Sequence, residues 1–70
     1  MDFRKEIDLL ESEKDKAILN MAYSQILRYQ ETQSEDDLDF FCDIVEGIGM
    51  QVSDKAMPIM YRMVEFYLNS

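Results

Sequence analysis

The 70-residue sequence contains no histidine and no tryptophan, one cysteine, one proline and two glycines. A single cysteine, Cys42, cannot form an intramolecular disulfide bond, and without histidine or a CxxC motif the chain lacks the ligands of a structural zinc site. The Glu-x-x-His motifs of di-iron helical bundles are excluded for the same reason. We therefore expect neither a metal nor a cofactor. A domain of this size then depends on its own core, on oligomerisation or on a partner for stability.

Long apolar segments are absent as well. No stretch approaches the ~18 consecutive apolar residues of a membrane-spanning helix, and the acidic N-terminal residues do not match the basic and apolar regions of a signal peptide. These absences favour a cytoplasmic protein that does not bind membranes. The sequence is nevertheless 47% hydrophobic, with four tyrosines and four phenylalanines, which argues against disorder and predicts one folded domain over residues 1–70.

The acidic residues are concentrated in one segment. The formal net charge is -8, and no basic residue lies between Arg28 and Lys55. Eight acidic residues lie in that interval: Glu31, Glu35, Asp36, Asp37, Asp39, Asp43, Glu46 and Asp54. The remaining seven of the 15 acidic residues are balanced by the seven basic ones, so the net charge belongs to residues 31–54. Such a charge opposes direct binding to nucleic acid and favours a basic protein partner.

Apolar residues recur at helical spacing, which predicts an all-α fold, a small bundle of three to four helices. The predicted helices cover about residues 2–11, 13–32, 35–48 and 54–69. A serine followed by acidic residues begins each of the last three, at positions 12, 34 and 53, where its hydroxyl can cap the free N–H groups of the first turn. Residues 2–32 form either one helix or two. We expect a turn near Ser12, because Ser12 and Asp15 have the spacing of a capping box.

Two further observations favour that turn. A continuous helix of about 30 residues would be roughly 45 Å long, whereas a compact 70-residue globule has a diameter near 30 Å. The apolar residues at positions 3, 7 and 10 also point about 145° away from the apolar stripe at 18–26. In the alternative arrangement, the N-terminal part projects and packs on another subunit.

Glycine and proline set the ends of the last two helices. Gly47 or Gly49 is expected to end the third helix, because glycine adopts the left-handed conformation of a C-cap. The alternating apolar residues at 48, 50 and 52 are compatible with a short extended piece. Pro58 is tolerated only in the first turn of a helix, so the last helix is expected to begin nearer Met57.

The third helix carries a stripe of acidic residues. Asp36, Asp39, Asp43 and Glu46 fall within roughly 80° on a helical wheel and extend over about 15 Å. A charged stripe of this kind is most often a solvated face. Its charge density is also within about a factor of two of that of one DNA strand, with ~3.4 Å per phosphate. It is therefore the candidate surface for binding a basic partner.

The apolar faces of the helices are unusually wide. They span about 180°, 200° and 220° on the second, third and last helices, where about 100° is usual. Such faces are too wide to be buried completely in one small bundle, so we expect a homodimer or a partner to cover part of them. The candidate apolar interface consists of Met57, Met60, Met63, Tyr61, Tyr67, Phe3, Ile7 and Leu10. The ordinary alternative for the methionine stripe is core.

The sequence contains no set of residues that is typical of a catalytic site. It has no histidine, and its serines are better explained as helix caps. Its clustered carboxylates lie on an exposed face, where nothing raises the pKa of one above that of another, as acid–base catalysis by a pair would require. Cys42 is expected to be an inert thiol, because burial and nearby carboxylates raise its pKa. We therefore predict a non-enzymatic acidic protein that occupies a basic surface of a partner, for example a nucleic-acid-binding surface, as phage-encoded inhibitors do. The alternatives are an immunity protein against a basic toxin and a structural or chaperone-like homo-oligomeric subunit.

Overall fold

The computed structural model describes residues 2–68, which form a small all-α bundle without strands. Its helices are α1 (Phe3–Asp8), α2 (Glu13–Thr32), α3 (Glu35–Glu46) and α4 (Met57–Leu68), with a 3-10 helix at Ile48–Gln51. The prediction of an all-α fold is confirmed. The radius of gyration of 11.3 Å is that of a compact chain, so α1 and α2 do not form a continuous rod.

The turn between α1 and α2 lies where the sequence predicted it. The Ser12 Oγ accepts a hydrogen bond from the Asp15 backbone N–H at 3.2 Å, which caps the start of α2. α1 begins with a similar cap, because the Asp2 carboxylate accepts from the Arg4 N–H at 3.0 Å. α1 ends at Asp8 instead of residue 11, since the backbone N–H groups of the next two residues donate into the last turn.

The connection between α2 and α3 consists of Gln33 and Ser34. Gln33 has a φ of 55°, in the left-handed region, and its N–H donates to the Tyr29 carbonyl at 2.8 Å. Glycine or asparagine usually occupies such a cap, so the sequence did not predict a left-handed residue at Gln33. Ser34 occupies the N-cap position of α3 as expected, but its side chain makes no capping hydrogen bond. So short a connection makes α2 and α3 antiparallel neighbours.

The segment between α3 and α4 differs from its prediction. α3 ends at Glu46, and residues 48–51 form the 3-10 helix instead of the short extended piece with which their alternation is compatible. The Ala56 and Met57 N–H groups both donate to the Ser53 carbonyl at 3.0 Å, so the residues before Met57 form a turn. α4 therefore starts at Met57, with Pro58 in its first turn, as the proline required. The predicted last residue of this helix, 69, lies outside the described residues.

The core lies between α2 and the elements that surround it. Its apolar side chains come from all four α-helices and from the segment before α4: Phe3, Ile7, Ile18, Leu19, Ala22, Tyr23, Ile26, Phe41, Ile44, Val52, Ala56, Ile59, Met60 and Met63. Phe3 of α1 lies edge-to-face on Tyr23 and Phe66, with ring centroids 5.9 and 6.0 Å away. An ion pair between Glu6 and Arg62 also joins α1 to α4. α1 therefore folds back as part of the bundle.

Candidate protein-binding surface

The acidic ridge, defined as Asp36, Asp39, Asp43 and Glu46, lies on the outer face of α3. All four side chains are exposed. Phe41 and Ile44, on the opposite face of the same helix, are buried against the rest of the bundle. The helical periodicity that separates these two sets in the sequence therefore also separates them in space. α3 builds the core with one face and presents four carboxylates with the other.

Asp37 fixes α3 to α2. Its carboxylate accepts hydrogen bonds from the Thr32 hydroxyl at 2.6 Å and from the Gln25 amide at 3.3 Å, and it lies 3.3 Å from the Arg28 Nε. The Gln25 amide also donates to the Asp37 carbonyl at 2.9 Å. The Thr32 hydrogen bond is the largest contribution that lowers the pKa of Asp37 below its usual value, followed by Gln25 and Arg28, against an opposing effect of burial.

Asp37 thus has a structural role, which the four ridge carboxylates do not share. Within residues 2–68, the ion pairs join Glu13 to Lys16, Asp37 to Arg28 and Glu6 to Arg62, and none reaches the ridge. In the sequence Asp37 is only one residue of the acidic segment, because the partners that distinguish it lie on another helix. The structure separates it from the ridge by its contacts.

The carboxylates of the acidic ridge also affect the thiol of Cys42, which lies on the same helix. Burial is the largest cause of the raised pKa of Cys42, and Glu46, Asp39 and Asp43 raise it further. The thiol therefore stays protonated at neutral pH, where a thiolate would be required for nucleophilic or metal-binding chemistry.

A groove lies on each side of α3, and both contain apolar side chains. The groove between α2 and α3 has a volume of about 550 Å³ and a mixed lining, in which Met21, Leu27 and Phe40 lie beside charged side chains, those of Arg4, Arg28 and Glu31. Phe40 is 57% exposed and Met21 is 45% exposed. The groove between α3 and α4 is smaller, about 170 Å³, and lies between Val45 and Val64. The ridge therefore lies between two grooves in which apolar side chains are at least partly exposed.

The candidate apolar interface divides into two groups. Phe3, Ile7, Met60 and Met63 are at most 1% exposed and belong to the core, so they cannot contact a partner in this conformation. Their burial corrects the assignment of these four residues to an interface. α1 folds back onto the bundle, so α1 and α4 cover each other's apolar side chains. Leu10, Met57 and Tyr67 are half-buried, and Tyr61 is 58% exposed. Of the candidate set, Tyr61 is the side chain most available to a partner.

Apolar surface does remain uncovered, although mostly at other positions. The large hydrophobic side chains that stay exposed are Leu9, Met21, Phe40, Ile48, Met50, Tyr61 and Phe66. They are distributed over α1's end, all three longer helices and the 3-10 helix. Phe40 and Met21 are notable because they line the same groove.

Among the described residues, Asp15 is the acidic residue that is buried, and its contacts are structural. It is 4% exposed and accepts hydrogen bonds from the Ser53 backbone N–H at 3.1 Å and the Ser53 hydroxyl at 2.6 Å. It lies at a groove of about 480 Å³ near Lys14 and Lys55. Because both Ser53 donors are directed at it, Asp15 ties the start of α2 to the segment before α4.

Residues 2–68 contain no cluster of three or more cysteine or carboxylate side chains arranged to hold a metal ion. None of the helices in this range has the length and apolar character required to cross a bilayer. Comparison with protein-family models, with curated proteins and with solved structures gave no match.

Proposed function

We propose that this is a cytoplasmic, non-enzymatic protein-binding module whose acidic ridge occupies a basic surface of a partner protein, most readily a nucleic-acid-binding surface. One observation carries the proposal: the four ridge carboxylates are all exposed and, among the described residues, none is paired with a lysine or arginine. A surface with unpaired charges of one sign attracts a partner of the opposite sign and accelerates its association.

The spacing of the ridge supports a nucleic-acid-binding surface as the target. Four carboxylates over about 15 Å of helix have a density within about a factor of two of the phosphates of one DNA strand. A basic groove that holds a phosphate backbone therefore has cations at a suitable spacing for these carboxylates. An inhibitor of a nucleic-acid-handling protein and an immunity protein against a basic toxin would both use this surface in the same way.

A homo-oligomeric structural subunit is the second candidate. It is favoured by the exposed apolar side chains, among them Tyr61 on α4. In this case a second copy would cover the α4 side of the bundle, next to the groove between α3 and α4, and the ridge would serve solubility alone. Homodimerisation through α4 is also compatible with the first candidate, because α4 leaves the ridge uncovered.

Two quadruple variants distinguish the candidates. The ridge variant carries Asp36→Asn, Asp39→Asn, Asp43→Asn and Glu46→Gln. The control variant carries Asp8→Asn, Glu11→Gln, Asp54→Asn and Glu65→Gln, at exposed positions on other elements. Each variant loses four negative charges, so any effect of net charge alone is common to both. The immobilised proteins are exposed to a lysate of the source organism, and the retained proteins are identified by mass spectrometry.

We expect the wild type and the control variant to retain the same basic proteins and the ridge variant to lose them. Retention should weaken as salt is raised, because exposed charges are screened. Circular dichroism must show equal helicity for all three proteins. If the folded ridge variant retains the same proteins as the wild type, the proposed function is wrong. Sedimentation of the wild type as a dimer, with no basic protein retained, would support the structural subunit.

A further inference from the structure

We infer that the groove between α2 and α3 receives the apolar face of a basic amphipathic helix, whose lysine and arginine side chains then lie along the acidic ridge. This rests on the proposed function and narrows its partner from a basic surface to a basic helix with an apolar side. The site consists of the groove walls at Phe40 and Met21 together with the ridge carboxylates next to Phe40.

Phe40 connects the groove to the ridge. It is four residues after Asp36 and three before Asp43, and residues at these separations are neighbours on a helix surface. Phe40 is 57% exposed, and Met21 lines the same groove at 45% exposure. Aromatic side chains, phenylalanine among them, are enriched at protein interfaces relative to the rest of the surface. One partner side chain in this groove would bring its neighbours within reach of both carboxylates.

The charges of the two groove walls differ, which gives the site a direction. Asp36 and Asp43 lie on the α3 side without a basic partner among the described residues. On the other side the wall contains Glu31 and two cations: Arg28, which is paired with Asp37, and Arg4, which donates to the neutral Asn20 side chain and lies over the Tyr23 ring. The unbalanced negative charge is therefore on the α3 side, away from these cations. A basic helix would place its cations there and its apolar side chains in the groove.

The architecture favours a helix as the occupant. Two antiparallel helices form a groove in which a third helix packs by the ridges-into-grooves geometry, and amphipathic helices are commonly bound in this way. α3 has 12 residues, which corresponds to about 18 Å. A helical partner of similar length can follow the whole ridge and present a cation every three or four residues.

A second copy of this chain is a poor occupant of the same groove. Each copy has a formal charge of -8, and the ridge borders the groove in both copies. A symmetric pair would use the same patch twice and bring the two ridges close together. Like charges placed across an interface oppose association. Charge complementarity with the ridge beside the groove therefore favours a basic partner over a second copy.

Three peptides of about 18 residues, long enough to form an amphipathic helix, test this inference. The first combines leucine and lysine in an amphipathic pattern, the second has serine in place of leucine, and the third has glutamine in place of lysine. Binding is measured by fluorescence anisotropy to the wild type, Phe40→Ala, Met21→Ala and the control Leu9→Ala. Leu9 is 82% exposed and lines a different groove, so its truncation removes exposed apolar surface elsewhere.

We expect the leucine–lysine peptide to bind the wild type about tenfold more tightly than the serine–lysine peptide, the difference that one buried aromatic contact can supply. Phe40→Ala should remove most of that difference and leave binding of the serine–lysine peptide unchanged. Met21→Ala, on the opposite wall, should have a smaller effect in the same direction. Leu9→Ala should bind all three peptides like the wild type.

The outcomes separate this inference from the proposed function. Equal affinity of the wild type for the two lysine peptides would overturn the groove and leave the ridge as the binding surface. If neither lysine peptide binds, the proposed function fails as well. If the leucine–glutamine peptide binds as tightly as the leucine–lysine peptide, the ridge has no part in binding and both ideas are wrong. A wild-type dimer that Phe40→Ala converts to a monomer would assign the groove to a second copy and overturn the inference.

Discussion

Asp15 and Ser53 are 38 positions apart in the chain and joined by two hydrogen bonds, and their removal provides a direct test of how the bundle is held together. Asp15 is 4% exposed, and its carboxylate accepts hydrogen bonds from both the backbone N–H and the hydroxyl of Ser53. Asp15 also lies in the first turn of α2, where a negative charge is stabilised by the helix dipole. We therefore expect Asp15→Ala to be among the most destabilising substitutions outside the apolar core.

The magnitude follows from the contacts that are lost. A hydrogen bond to a charged group contributes about 1.5–3 kcal/mol, and the dipole about 0.3–1 kcal/mol. The cost of burying the carboxylate in the wild type offsets part of this sum, which leaves about 2–4 kcal/mol. Ser53→Ala removes the hydroxyl alone and should cost about 1–2 kcal/mol. For a domain of this size a loss of 2–4 kcal/mol lowers Tm by about 10–25 °C.

Urea unfolding followed by circular dichroism gives the free energy of unfolding of each variant. In the double variant the two effects should not add, with a coupling energy of about 1–2 kcal/mol, because both substitutions remove the same hydroxyl contact. Asp36→Ala is the matched control: it is also an acidic residue in a first turn, but it is exposed, and it should cost less than about 1 kcal/mol. If Asp15→Ala is no more destabilising than Asp36→Ala, the contact with Ser53 does not stabilise the fold.

Three further predictions concern other parts of the molecule. Asp37 has a folded-state pKa below its usual value of 3.8, so its stabilising contribution is present above that pH and is lost as the pH falls through the folded-state pKa. The difference in unfolding free energy between wild type and Asp37→Asn should therefore shrink in acid, and a constant difference would contradict this. Cys42, whose pKa is raised by burial and by Glu46, Asp39 and Asp43, should react with a disulfide reagent more slowly than free cysteine at pH 8, and the ridge variant should react faster than the wild type. An alanine Cβ at position 49 would lie 3.1 Å from both the Ile44 carbonyl oxygen and the Met60 Cε, so Gly49→Ala should destabilise by about 1–3 kcal/mol in urea unfolding, and an unchanged midpoint would show that the 3-10 helix can shift.

Local signals in the sequence were sufficient for the elements that are determined locally. The span of α2 and the cap at Ser12 follow from apolar periodicity and from a serine three residues before an N–H that needs an acceptor. Pro58 located the start of α4 because proline restricts its own neighbourhood. Gln33 could not be identified as a left-handed cap, because glutamine has no intrinsic preference for that conformation and adopts it here as the α2–α3 connection requires.

The interface residues were predicted less well, because their burial depends on contacts between elements. A helical wheel shows how wide an apolar face is, but it does not show which other element covers it. Met60 and Met63 are buried within a single chain, on a helix that packs against α1 and α2. Phe40 has the same apolar character and remains 57% exposed, because it lies between the core-facing and acidic sides of α3. Whether an apolar residue is buried depends on which neighbouring element covers it. Periodicity alone does not determine this.

The positions of the ridge acids along α3 also bear on function. Asp36 lies in the first turn, where the helix dipole favours a negative charge, but α3 has no basic residue in its last turn. Asp43 and Glu46 occupy the C-terminal end, where the dipole disfavours a carboxylate by about 0.3–1 kcal/mol and neighbouring like charges add to the cost. Neither residue is paired with a cation within residues 2–68 to offset that cost. Helix stability therefore accounts for Asp36 but not for Asp43 and Glu46, and binding of a basic partner would supply the interactions that these two carboxylates lack.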